Sequence, residues 1–310
     1  MLNSRVILLA VALGFATAPS AVAQSRGILL LAHGGSAEWN AHVTRLAEDV
    51  NRTLPTEVAF GMATRANIQG AVDRLRARGA TEITAVPLFV SSWSSVITST
   101  EYLLGQRAQA PPELAIFARM RHSPPASPGG AASHGAHTAH AGETAPDPTS
   151  PIQSPVPIRM TPALNDHPLV ADILVSRARS ISRNSAEEAI VIVAHGPVGD
   201  AENRRWLADM ASLAARVHQA ERFAAVEYLT LRDDAPKPIR DLATAELREV
   251  VGRHAAQGRR VLIVPLLVSF GGIEKGLRER LEGLTYAMPS AGLVPDGRLV
   301  TWVLAMANGR

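Results

Sequence analysis

The sequence predicts an α/β protein made of two similar doubly wound halves, each built on a parallel sheet. Three observations predict this. Short apolar runs with no polar face alternate with stretches of helical period, the pattern of strands covered by crossover helices. One such run, Gly27-Ile28-Leu29-Leu30-Leu31, ends in Ala32-His33-Gly34-Gly35, and a second, Ala189-Ile190-Val191-Ile192-Val193, ends in Ala194-His195-Gly196-Pro197. Further along each half, Val86-Pro87-Leu88-Phe89-Val90-Ser91 is echoed by Val264-Pro265-Leu266-Leu267-Val268-Ser269, after the same helix-strand-helix order. Two ordered matches in each half mark an internal duplication.

The elements follow in turn. After the first strand, a helix from Glu38 to about Thr53 places Val43, Leu46, Ala47 and Val50 on one face. A strand over Glu57 to Met62 is followed by a helix over Asn67 to Arg78, stopped by Gly79, and a strand over Glu82 to Val90. The serine-rich segment Ser91-Ser92-Trp93-Ser94-Ser95 leads into a helix up to Leu104, and Leu114 to Phe117 reads as a short fourth strand. Order resumes near Met160. Asp166 is placed as the N-cap of a helix running to about Ser182. The second half then reads as the second Ala-His-Gly strand, a helix over Ala201 to His218, a strand over Ala224 to Leu229, a helix over Pro238 to Ala256, and a strand over Arg260 to Ser269.

Composition narrows the function. The 310 residues are 46% apolar, enough for a core in each half, and aromatics are only 4%, so the cores must be built from Ala, Val, Leu and Ile. The net charge is +3, and no dense basic stripe with interleaved aromatics argues for nucleic acid as a partner. With no cysteine, disulfides, thiolate nucleophiles and Cys-ligated metals are excluded, so any metal must be held by His, Asp, Glu, hydroxyl or backbone. Arg5, the apolar run Val6 to Ala18 and the small residues Ala21-Val22-Ala23 predict a signal peptide over residues 1–23, cleaved after Ala23. The expected setting is therefore periplasmic or otherwise exported, with no stable membrane insertion after cleavage. Residues 24–120 and 160–310 are the two halves. Residues 121–159, rich in Pro, Ala, Gly, Ser and Thr, are expected to be a disordered linker.

Candidate chemistry gathers on histidine. His33 and His195 end buried strands, where open α/β sheets place their ligand sites. A neutral imidazole offers a lone pair to a borderline divalent metal and can take up a proton near neutral pH. The linker holds His134, His137 and His140, a tract able to bind metal as an accessory site. Ser91, Ser92 and Ser95, with Arg65 and Arg232 after the second strand of each half, are candidate contacts for the carboxylates of an anionic ligand.

The strand ending in Ala32-His33-Gly34, the later Val86-Pro87-Leu88-Phe89 strand, their repeats, and Asp166-His167-Pro168-Leu169-Val170-Ala171-Asp172 together resemble the class II tetrapyrrole chelatases, in particular the sirohydrochlorin chelatases in their long two-half form. The resemblance covers roughly 27–118 and 160–308. It implies chelatase-like halves facing a central cleft that takes up a tetrapyrrole such as sirohydrochlorin. It also implies ATP-independent insertion of divalent cobalt, iron or nickel, the metal being substrate and no tightly bound cofactor being expected. His33 matches the family's first metal-binding histidine, which also accepts pyrrole protons, and His195 is its repeat counterpart. The family's second histidine falls eight residues after the strand proline. Here those positions carry Ser95 and Ile273. That departure leaves a second reading, an exported metal- or tetrapyrrole-binding protein without turnover.

Overall fold

Residues 25–120 and 146–309 are described by a computed structural model. In the first half, β1 (Arg26–Ala32), α1 (Ala37–Asn51), β2 (Thr56–Phe60), α2 (Arg65–Ala77), β3 (Glu82–Leu88), α3 (Ser95–Leu103) and α4 (Leu114–Phe117) precede β4 (Ile158–Met160). These strands form a parallel sheet in the order β2-β1-β3-β4. The second half contains α5 (Pro168–Arg179), β5 (Glu188–Ala194), α6 (Asp200–Glu221), β6 (Ala225–Thr230), α7 (Lys237–Ala256), β7 (Arg260–Leu266), α8 (Ile273–Arg280) and α9 (Arg298–Ala307). Its sheet runs β6-β5-β7, all parallel.

The duplication is visible in the strand register. Pro87 of β3 lies opposite Leu31, two residues before His33. Pro265 of β7 lies opposite Val193, two residues before His195. Both sheets are covered on both faces, which explains why β1 and β5 show no polar alternation. Ile28, Leu30 and Ala32 face one core and Leu29 and Leu31 another, and Ile190 and Ile192 are likewise separated from Val191 and Val193. The inward faces of the two sheets share a single core with α1, α5, α6 and α9, so the halves are one packed unit at their middle. Trp302 of α9 is fully buried there. No helix of the described residues is long and apolar enough to cross a membrane.

Three expectations need correction. Leu114–Phe117 is a single helical turn, with Leu114 and Phe117 both buried against the first-half core. Two apolar residues three apart suit a helical turn, and so short a run cannot show its period in sequence. The fourth strand is instead Ile158–Met160, drawn from the expected linker, where Ile83 lies opposite Ile158 and Ala85 opposite Met160. The described end of that segment is fastened down. The Ile152 amide donates to the Leu103 carbonyl at 2.8 Å, and Ile152, Val156 and Ile158 pack on the first-half core. The expected linker therefore cannot run unstructured to 159, and its residues 121–145 lie outside the described residues. Its proline-rich composition conceals an edge strand that hydrogen-bonds on one side only. In the second half, the place beside β7 is taken by one bridge at Ala287, with no full strand.

The N-cap of α5 is His167 rather than Asp166. Its Nδ1 accepts the Leu169 amide at 3.2 Å, and Pro168 occupies the first helical turn. Burial lowers the His167 pKa, with Arg216 acting in the same direction and Asp166 opposing, so the ring stays the neutral acceptor that the cap requires.

Candidate functional site

Both histidines stand at carboxyl ends of central strands, and the chain turns sharply after each. Gly34 and Gly196 have φ of 81° and 77°, left-handed values that favour glycine. The imidazoles nevertheless meet different surroundings.

His33 is exposed. Its Nδ1 lies 2.6 Å from the carbonyl oxygen of Gly34. A carbonyl can only accept, so Nδ1 carries the proton and donates it, leaving the lone pair on Nε2. This is the tautomer a metal ligand needs. The loop beyond is held in shape by its own polar groups. The Gly35 amide donates to Asn40 Oδ1 at 2.9 Å, and Ser36 Oγ caps α1 by accepting the Trp39 amide at 3.2 Å.

His195 is partly buried, with its Nε2 3.5 Å from Asp234 Oδ2. The turn after it is tight. A Cβ on Gly196 would stand 2.5 Å from Thr230 Cβ. Arg232, buried and at φ 54°, donates through Nε to the Pro197 carbonyl at 2.7 Å. Its Nη2 donates to the Val198 carbonyl and Asp200, and its own amide donates to the His195 carbonyl. Asp234 was not singled out from the sequence, although Arg232-Asp233-Asp234 follows β6 after the single residue Leu231, at the same rim of the sheet as His195.

The other candidates are largely engaged within the protein. Arg65 donates to the carbonyls of Ser150 and Pro151, so its guanidinium anchors the incoming segment. Arg232 is occupied as described. Both guanidinium groups are thus committed at least in part to backbone carbonyls, and that of Arg232 to Asp200 as well. Ser91 is buried and accepts the Trp93 amide, and Ser92 accepts the Ala163 amide while its own amide donates to Asn165. These two serines shape the loop after β3. Ser95 begins α3 and is partly exposed. Glu274, beside Ile273, accepts the amides of Gly271 and Gly272 at 2.9 Å each. Burial opposes ionisation there, but those amides outweigh it and hold the Glu274 pKa below its ordinary value. Its carboxylate is a helix cap and does not replace a second imidazole. His134, His137 and His140 lie outside the described residues.

The rims of the two halves are tied together by exchange. Trp206 of α6 donates through Nε1 to the Trp93 carbonyl in the loop after β3, at 2.7 Å, and Arg205 sits 4.3 Å over the Trp93 ring. In the reverse direction, the Trp39 ring packs under Gly271 in the loop after β7, and His42 Nδ1 lies 3.1 Å from Ser269 Oγ. Each helix that follows a histidine loop therefore supports the third-strand loop of the other half. Among the described residues no three His, Asp or Glu side chains converge to hold a metal. Two cavities lie away from both histidines. One of about 520 Å³ is bordered by Asp73, Arg76 and Pro155, and the other, of about 190 Å³, lies between α1 and residues 294–300.

The parallel strand order, the duplicated histidine-ended strand and the bridged rims define a two-half α/β fold. Residues 27–120 match the family model described as CbiX. Among solved structures, it is similar to SirB from Bacillus subtilis with Fe3+, at 15% identity and a TM-score of 0.59, covering 92% of this chain and 95% of that one. It is likewise similar to the sirohydrochlorin chelatase SirB from Bacillus subtilis subspecies spizizenii in complex with cobalt, at 12% identity and a TM-score of 0.57, covering 92% and 94%. A multi-domain protein from Deinococcus radiodurans with structural similarity to chelatases matches at 18% identity and a TM-score of 0.51, but this chain, 91% covered, spans only 54% of that protein's length. At these identities the likeness is one of fold. The sequence has no match among curated proteins.

Proposed function

We propose that this is an exported sirohydrochlorin chelatase-like protein that inserts a divalent metal, cobalt or else iron or nickel, into a tetrapyrrole, with His33 as metal ligand and proton acceptor. The observation that carries the reading is the His33 tautomer. The Nδ1–H bond to Gly34 leaves an exposed Nε2 lone pair at the carboxyl end of β1, in the half that matches CbiX. In that role Nε2 first holds the metal loosely. Insertion releases two pyrrole protons per metal taken up; Nε2 can accept one once the metal has passed to the macrocycle, and the other passes to solvent water. Export is supported by residues 1–23, where a cation, an apolar run and a small-residue cleavage site follow one another.

A second reading, binding of metal or tetrapyrrole without turnover, is favoured by Ser95 and Ile273 standing where a second histidine is expected and by Glu274 being occupied as a cap. The test mixes purified protein with sirohydrochlorin and Co²⁺ and follows the absorbance change of metal insertion against the uncatalysed rate. Acceleration that is lost in His33→Ala supports the enzyme. Unaccelerated insertion with metal or tetrapyrrole still bound would establish the second reading.

A further inference from the structure

We infer that Arg205, laid over the Trp93 ring, is the residue with which the carboxyl rim takes a carboxylate side arm of an aromatic macrocycle, given the tetrapyrrole reading above, on which this rests. Leu88, the last residue of β3, lies opposite Ala32 of β1, so the loop after β3 and His33 leave the same end of one sheet. Trp93 stands in that loop. Its backbone is fixed from both sides: the amide donates to Ser91 Oγ at 3.1 Å, and the carbonyl accepts Trp206 Nε1 at 2.7 Å. The Trp93 residue remains 37% exposed. From the other half, Arg205 in the second turn of α6 places its guanidinium carbon 4.3 Å from the ring centroid.

The charge of that guanidinium is unmatched. Arg232 is paired with Asp200, Arg280 with Asp233 and Arg253 with Glu227. Among the described residues, by contrast, no carboxylate stands within ion-pair distance of Arg205, and its side chain is exposed. A guanidinium lying over a ring face is held by its attraction to the π-system and keeps its in-plane N–H groups free to fork onto a carboxylate. The aromatic surface beside it suits the flat conjugated body of the same ligand. Ring and cation come from different halves, so the pair exists only where the two rims meet.

The test titrates the full chain with metal-free uroporphyrin, which carries carboxylates on every side arm, and follows the fluorescence anisotropy of the bound macrocycle. Arg205→Ala should weaken binding about tenfold or more, the worth of a hydrogen bond to a charged group. Arg205→Lys keeps a charge over the ring and loses the fork. It should therefore keep amide exchange at residues 91–95 as slow as in the parent while leaving most of the affinity loss. Arg45→Ala removes an exposed arginine of α1 and should bind as the parent does. Unchanged affinity in Arg205→Ala, full affinity in Arg205→Lys, or an equal loss in Arg45→Ala would overturn the contact and leave Arg205 a clamp on the Trp93 ring or one diffuse charge among several. No uroporphyrin binding by the parent chain would overturn the contact together with the tetrapyrrole reading. Because affinity is read without metal, weaker binding in Arg205→Ala would stand even if the insertion assay showed no acceleration.

Discussion

The two halves repeat one plan and finish it in opposite ways. At the carboxyl rim, the first half leaves its histidine exposed on a loose turn: a Cβ on Gly34 would meet nothing nearer than Phe60 Cβ, at 3.5 Å. The second half draws its turn against Thr230, fastens it with Arg232 and sets its histidine beside a carboxylate. At the amino end the same strand pairing is kept with the charges exchanged. Arg26 of β1 lies opposite Glu82 of β3, whereas Glu188 of β5 lies opposite Arg260 of β7. The first pair is partly solvated, while Glu188 is only 1% exposed. Duplication has thus kept the strand geometry while one rim was left open and the other consolidated.

Paired glycine substitutions give the largest separation between the halves. Gly196→Ala forces a Cβ into Thr230 as well as keeping a left-handed backbone, and should cost about 3 kcal/mol, overpacking and backbone strain combined. Gly34→Ala carries the backbone cost alone, about 1 kcal/mol. Equal losses in urea unfolding would mean that the two turns are equally tight and would dissolve the contrast.

The exchanged ion pairs come next. Glu188 accepts from Ser182, from the Arg183 amide and from Arg260. Burial pushes its pKa up, but these hydrogen bonds together outweigh it and hold the carboxyl below the ordinary glutamate range. Because the folded pKa is depressed, the stabilisation is fully present above about pH 4.3, the unfolded glutamate value, and is lost as pH falls through the folded pKa. Glu188→Gln should cost about 2 kcal/mol at neutral pH, through the loss of the charge-assisted bond between the buried carboxylate and the partly exposed Arg260, and should flatten the acid limb of the stability curve. Glu82→Gln removes a partly solvated pair and should cost under about 1 kcal/mol. A larger loss at Glu82 would reverse the order of the halves.

Much of this plan can be read from the residues, for identifiable reasons. The two His-ended strands and the two Val-Pro-Leu strands are buried on both faces, so burial marks their sequence as uninterrupted apolar runs, and repetition marks their order. The edge strand Ile158–Met160 leaves no such trace, being three residues long, flanked by proline and bonded on one side. The site follows the same division. The positions of His33 and His195 are local properties of strand ends. The tasks of Arg65, Arg232 and Glu274 are set by carbonyls and amides that the fold brings near, and the meeting of Asp234 with His195 spans separate crossovers of the sheet. Nothing in local periodicity reports such contacts. The exception is placement: the acidic pair Asp233-Asp234, three residues beyond β6, stands at the carboxyl rim of the sheet by topology alone.

The smallest effect tests the seam between the halves. Trp206→Phe keeps most of the ring's packing and removes the Nε1–H bond to the Trp93 carbonyl, a net loss of about 1 kcal/mol. Its consequence should be local as well as global. Trp93 is the exposed aromatic of the loop after β3, held by that bond and by Arg205 over its ring. Freed on one side, the loop should exchange its amide hydrogens faster at residues 91–95 than at 269–272, the corresponding loop of the other half, which rests on Trp39. Faster exchange in both loops together would mean that the rims are one cooperative surface, and slower or unchanged exchange at 91–95 would show that Trp206 does not support the loop beside His33.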